Sequence, residues 1–174
     1  MKFRLALTIL ACLSGLCLCC QRKAADTGTE PVQKPTEEYM TGIHREIVRN
    51  EAKDIELVIR RYGWQMQRTP SGLYYEIFQK GSGKTLSKGD AVRLRCNISL
   101  LDGTPVYASD KDGIKELVIE RSDEIAGLQE ALQLMQRGCK AHLIIPPHLA
   151  YGSLGDGGDI PGFTTLVYSL EILP

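Results

Sequence analysis

The sequence has no surplus of either charge: 21 Lys and Arg stand against 21 Asp and Glu in 174 residues. A protein that holds nucleic acid electrostatically carries a basic excess or a clustered basic face, so nucleic acid is excluded as the dominant partner. Histidine is scarce. His44, His142 and His148 are scattered, and no cysteine or carboxylate cluster stands near them at metal-ligand spacing, so neither a metal nor a cofactor is expected. No serine or cysteine sits on a recognisable nucleophile turn. Gly83-Lys84-Thr85 ends like a phosphate-binding loop, but Phe78 stands where that loop needs its first glycine and no helix is expected to follow. The glycine-rich stretch 152–162 has no Lys-Ser/Thr pair to grip a phosphate. Cysteine is also rarer than the count of six suggests. Cys12, Cys17, Cys19 and Cys20 crowd into residues 1–20, leaving only Cys96 and Cys139 in the body.

That crowd belongs to an export signal. Lys2 and Arg4 precede an uncharged run over residues 5–20, and Gln21-Arg22-Lys23 ends it abruptly. A spanning helix needs about 20 apolar residues, and a run this short at the N-terminus reads as a secretory signal. The segment ends in cysteine rather than at an A-x-A site, which resembles a bacterial lipoprotein signal. Cys20 fits best as the acylated residue, with small Cys19 before it and polar Gln21 after it. Cys19 follows Leu18, a poor cleavage neighbour, and Cys12 would leave an apolar stretch beyond the anchor. Several acyl chains give stable membrane attachment without a spanning helix. Cleavage removes Lys2 and Arg4 and no acid, so the mature chain is slightly acidic.

Residues 21–36 are polar, with Pro31 and Pro35 and little to bury, and read as a flexible tether. Thr36 is a plausible N-cap with Glu37 and Glu38 in the first turn, so a helix is expected over 37–63 with Gly63 as its C′ residue. Val48, Ala52, Ile55, Ile59 and Tyr62 form a narrow seam that Ile43, Ile47 and Val58 widen. Packing on the helix's own domain and a homodimer interface are both open readings of that stripe.

After Trp64 the apolar period drops to two. Leu73, Tyr75 and Ile77 alternate, and Val92, Leu94, Cys96 and Ile98 form a clean strand closed by Leu101-Asp102-Gly103. Short strands are expected near Val106 and over 117–119. A single helix over 127–136 follows, with Leu128, Ala131, Leu132 and Met135 on one face, stopping at Gly138. Strands at 143–145 and 166–172 complete residues 64–174. This is an α+β domain, a mainly antiparallel twisted sheet wrapped on one short helix. Asn97-Ile98-Ser99 spells a glycosylation sequon but lies within a strand, in a sequence whose leader looks bacterial.

Several motifs then line up in order. Thr69-Pro70-Ser71-Gly72-Leu73-Tyr74-Tyr75, Leu101-Asp102-Gly103-Thr104-Pro105-Val106 and Ile125-Ala126-Gly127-Leu128-Gln129-Glu130-Ala131-Leu132 resemble envelope-associated FKBP-type peptidyl-prolyl isomerases. The most specific match is Ile145-Pro146-Pro147-His148-Leu149-Ala150-Tyr151-Gly152, followed by Ile160-Pro161 and Thr165-Leu166-Val167-Tyr168. The lipoprotein start and the helix look most like the gliding-motility-associated branch of that family. The resemblance implies an FKBP-like fold and cis-trans isomerisation of Xaa-Pro bonds in exported proteins at the cell envelope. It also implies site residues: the Tyr151 hydroxyl and the Ile125 N–H hold substrate carbonyls, while Ile160 and Tyr168 line a proline pocket.

The departures from the family pattern fall in that pocket. Cys96 stands where a tyrosine is usual, Val106 replaces a phenylalanine, and Tyr107 replaces the aspartate that follows it. Leu128 takes the place of a tryptophan found in the tightest-binding members. The pocket is therefore expected to be shallower and the activity weak or altered. A working isomerase and an isomerase-like binding module, acting as chaperone or assembly partner, both remain open. By the same resemblance the strand 166–172 separates Cys96 from Cys139 by about 10 Å at ordinary strand spacing, beyond disulfide reach, so two free thiols are expected. Labelled palmitate should enter the full chain and be lost in Cys20→Ser; label retained in that variant would move the anchor to another cysteine.

Overall fold

The computed structural model describes residues 37–174, with side-chain contacts from Asn50 onward. The leader over 1–20 with Cys20, Cys19 and Cys12, the tether over 21–36 and the Thr36 cap lie outside the described residues. Helix α1 runs Glu37–Tyr62. Gly63, at φ +69°, donates to the Arg60 carbonyl and Trp64 donates to the Ile59 carbonyl, the paired closure that a left-handed residue after a helix permits.

The chain then forms β1 (Gln67–Arg68), β2 (Tyr74–Gln79), β3 (Ala91–Leu100), β4 (Pro105–Ala108), the single-turn α2 (Ser109–Asp112) and β5 (Lys115–Val118). Helix α3 (Ala126–Leu132), β6 (Lys140–Ile145), a 3₁₀ turn at Pro147–Leu149 and β7 (Leu166–Ile172) complete it. The strands make one antiparallel sheet in the order β1-β2-β6-β7-β3-β4, with β5 also paired to β3. β3 is long enough to hold β5 beside Ala91–Leu94 and β4 beside Asn97–Ser99 on the same edge.

Period-two patterning explains which side chains go in. Val92, Leu94, Cys96 and Ile98 of β3, Ala141, Leu143 and Ile145 of β6, and Leu166, Tyr168, Leu170 and Ile172 of β7 face one core. Against them α3 places Leu128, Ala131 and Leu132. α3 is shorter than its apolar pattern predicts. Leu134 and Met135 donate to the carbonyls of Ala131 and Leu132, three residues back, so the last turn tightens and leaves the α-helical path. Met135 stays buried all the same, which is why the sequence pattern runs on.

The other face of the sheet is covered too. Ile55 and Val58 of α1 bury against Ile144 and Val167, each contributing about 1.5–3 kcal/mol of apolar burial. Thr165 donates to Glu51 at 2.6 Å and pins the same helix. The C-terminal half of α1 thus packs on its own domain, while Ala52 and Tyr62 of the expected seam are exposed. Cys96 and Cys139 are both buried and free, with β7 lying between β3, which carries Cys96, and β6, which Cys139 immediately precedes.

Four rings extend this cover. Tyr62 stacks on Trp64 at 4.7 Å, Trp64 on His142 at 4.4 Å, and His142 on Phe78 at 4.5 Å. The His142 Nδ1 is buried with no hydrogen-bond partner among the described residues. Desolvation holds its pKa below the ordinary 6.5, against a smaller opposing pull from Glu76, its cross-strand neighbour. The unfolded chain therefore binds this proton first, and stability should fall as pH drops below 6.5 toward the depressed native value. Urea midpoints measured from pH 8 to pH 5 should show that decline, and His142→Phe, which keeps the ring stack, should flatten it. An unchanged slope in the variant would assign the effect elsewhere.

Candidate functional site

The inner face of the sheet, α3 and the loops around it close round one apolar cluster, a bowl whose lining is the domain's own core. Leu128 forms part of its floor because Gly127 lets α3 press onto the sheet. A Cβ at Gly127 would overlap Ile145 Cγ2 and crowd Leu149. Ile125 is the N-cap of α3, and its carbonyl accepts from the N–H groups of Leu128 and Gln129. No acceptor among the described residues takes the Ile125 N–H. Gln129 ties the preceding loop to α3, accepting from the Glu120 N–H at 2.9 Å and donating to the Ser122 carbonyl at 3.1 Å.

Pro146 and Pro147 end β6, and the 3₁₀ turn they start swings the chain back to half-buried Tyr151. The Gly152 N–H donates to the Pro147 carbonyl at 2.9 Å and locks the turn. Ile160 arrives from the next loop through an aspartate the sequence reading did not single out. Asp156 Oδ1 accepts from the Gly158 and Ile160 N–H groups, both at 2.9 Å, while the Asp156 N–H donates to the Ile160 carbonyl at 3.1 Å. Those backbone donors hold its carboxyl below the usual range. Gly155 at φ +74° is required here, because a Cβ would overlap the Ile160 carbonyl oxygen. The signal was legible as Asp followed by two glycines, a local turn-former.

All eight residues singled out from the sequence meet in this bowl. Cys96, Ile125, Leu128, Ile160 and Tyr168 are in its buried core, and Val106, Tyr107 and Tyr151 pack against it partly buried. Tyr168 is 1% exposed, and its hydroxyl finds no partner among the described residues. Burial pushes the Tyr168, Tyr151 and Cys96 groups up, so all three stay protonated at neutral pH. The Cys96 N–H donates to Ser109 Oγ at 2.9 Å, which explains a buried serine at the start of α2. Tyr107 turns its hydroxyl away, to the Gly113 carbonyl at 2.6 Å. An unforeseen ion pair, Lys115 with Glu124, joins the bowl at the residue before Ile125.

The chemistry available here is non-covalent. The bowl offers apolar walls, neutral hydroxyls and a free N–H, and its thiol and phenols are held in their unreactive protonated forms. Among the described residues no group of three or more His, Cys, Asp or Glu is placed to hold a metal ion. A groove of about 470 Å³ opens on the opposite face between α1, Trp64 and the β3–β4 hairpin, and it shares only Tyr107 with the eight.

The family model for FKBP-type peptidyl-prolyl cis-trans isomerases matches residues 82–173, more than half of the chain. The chain belongs to this family. It is 39% identical over 105 residues to the FKBP-type 22 kDa peptidyl-prolyl cis-trans isomerase of Escherichia coli, a match covering 60% of this chain and 50% of that one. It is 36% identical over 104 residues to the outer membrane protein MIP of Legionella longbeachae, covering 60% and 44%. The chain spans about half the length of the curated relatives it matches. Among solved structures, FkpA from Escherichia coli superposes with a TM-score of 0.63 at 28% identity, covering 78% of this chain and 63% of that one. AtFKBP13 superposes at 0.60 and 26%, covering 63% and 98%. The antiparallel sheet on a short helix is thus the FKBP fold.

In this FKBP domain Asp156 positions Ile160. Asp156→Ala should raise amide exchange at Gly158 and Ile160 roughly tenfold while leaving the β3, β6 and β7 amides unchanged. Unaltered exchange at Ile160 would remove the role assigned to the carboxylate.

Proposed function

We propose that this chain is a peptidyl-prolyl cis-trans isomerase acting on Xaa-Pro bonds of exported proteins at the bacterial cell envelope. The observation that carries the reading is the convergence of Tyr151, Ile125, Ile160 and Tyr168 on one apolar bowl, in a chain of this family. Rotating an amide out of its plane breaks its resonance, a barrier of about 18–20 kcal/mol. The twisted amide has less charge separation than the planar one, so a water-poor apolar pocket favours it by differential binding. Ile160, Tyr168 and Leu128 would enclose the proline ring, with Val106, Cys96 and Tyr107 as the surrounding wall. The Ile125 N–H, which has no acceptor among the described residues, and the Tyr151 hydroxyl would hold the flanking carbonyls and leave the amide free to turn.

The cysteine-ended leader supports a lipid anchor on Cys20, with residues 21–36 as tether and the domain facing the periplasm. The helix over 37–63 would supply homodimer contacts through its N-terminal half, since its C-terminal half is occupied by the sheet. A second reading, a binding module with weak turnover, is favoured by one observation. Cys96 and Val106 stand where the family pattern has a tyrosine and a phenylalanine, which removes aromatic surface that would grip a proline. A chain beginning at residue 21, with Cys20 absent, should accelerate isomerisation of a Xaa-Pro peptide. Tyr151→Phe should lower kcat/KM about threefold to tenfold, the loss of one substrate hydrogen bond. Full activity in that variant would remove Tyr151 from the site, and peptide binding without any turnover would favour the binding module.

A further inference from the structure

The pocket contains a charge pair that its apolar chemistry does not ask for. Lys115 Nζ bonds Glu124 Oε1, and the two side chains keep only 20% and 14% of their exposure. Replacing a buried pair by apolar side chains of similar volume is often neutral or stabilising, so stability alone gives no reason for it. Glu124 Oε2 is buried and takes no donor among the described residues. A buried carboxylate oxygen left unsatisfied is costly, so the closed pair leaves Glu124 under-bonded. Its position is specific. Glu124 immediately precedes Ile125, and Lys115 Nζ lies 5.9 Å from the centroid of the Tyr107 ring. Both charges of the pair reach across the bowl: Lys115 outweighs Glu124 at Tyr151 and Cys96, while Glu124 is the one felt at Tyr168. At Tyr151 the Lys115 ammonium has the largest single effect of the three charges, and Glu124 and Asp156 oppose it.

We infer that Glu124 is a specificity-determining residue of the pocket, which selects Xaa-Pro segments carrying lysine or arginine beside the proline. The substrate cation competes with Lys115 for the Glu124 carboxylate, whose second oxygen stays buried while the pair is closed, and Lys115 is pushed toward solvent as the cation takes its place. This rests on the bowl being the substrate pocket. The two charged residues then have opposite effects. Removing the carboxylate abolishes the preference, whereas removing the ammonium strengthens it, and a purely structural ion pair would give neither split.

The test uses the detergent-solubilised full chain and three proline peptides with lysine, leucine or glutamate flanking the proline. Both kcat/KM and the Kd of labelled peptide are measured. The lysine peptide should exceed the leucine peptide by about fivefold at low salt, with the glutamate peptide last, and 1 M NaCl should compress the series. Glu124→Gln should bring the lysine-to-leucine ratio to about one, and Lys115→Met should raise it above the unmodified protein's. A ratio of one in the unmodified protein, or a ratio that survives Glu124→Gln, overturns the inference. If the peptides bind in the expected order but none is turned over, the isomerase reading fails and the selectivity stands. If the leucine and lysine peptides both fail to bind, the two fall together.

Discussion

Both faces of β7 are committed, and the rest of the molecule depends on that constraint. The strand lies between β3 and β6, so its backbone is fully paired on both sides. Leu166, Tyr168, Leu170 and Ile172 go into the bowl, while Val167 meets Ile55 and Val58 of α1 on the other face. A one-residue slip would send the first set outward and bring Val167, Ser169 and Glu171 inward. Register is therefore strongly specified at the strand that carries Tyr168. The same register sets Ile98 against Tyr168 and Leu143 against it from the other side, so the bowl's shape follows from the ladder.

A pocket made of core side chains faces a conflict, because packing that stabilises the fold also tends to fill the pocket. Here the conflict is met with loops and with polar atoms. Tyr151 and Ile160 come from segments outside the sheet, each held by its own backbone bonds: the Pro147 turn for one and the Asp156 turn for the other. Their positions do not rely on filling the bowl's centre. Within it, the Tyr168 hydroxyl and Glu124 Oε2 have no protein partner among the described residues. Such groups penalise a collapsed empty state and reward an occupant that brings a complementary donor or acceptor.

What was legible in the sequence was what local physics encodes. The alternation through Val92, Leu94, Cys96 and Ile98 is a half-buried strand whatever surrounds it, and Leu101-Asp102-Gly103 turns because Asp102 Oδ1 accepts from the Thr104 N–H at 2.8 Å. The bowl residues were reached through resemblance rather than periodicity, since Tyr151, Ile125 and Ile160 all sit on irregular backbone with no pattern to read. β1 is two residues long and α2 a single turn, below the length at which periodicity exists. The end of α3 was overrun because Met135 keeps its place in the core after the helical hydrogen bonds have changed. Lys115 and Glu124 belong to no motif that a sequence reading picks out. Nine positions apart and on different segments, they become partners only when β5 pairs with β3 and the following loop folds back to α3.

That ion pair also bears on how much the loss of aromatic lining matters. Exchanging an aromatic for cysteine or valine removes area from a hydrophobic pocket and weakens binding of any proline alike. A fixed carboxylate does something different, because it separates substrates by the charge beside the proline rather than by the ring itself. On the proposed reading, weak general activity and strong preference would be two consequences of one arrangement: less energy from the ring, which every substrate shares, and more from the flank, which substrates do not share. Asp156 fits the same logic. Its carboxylate is engaged in holding Ile160, yet its charge still reaches Tyr151, so the group that shapes the pocket wall also adds to the field there.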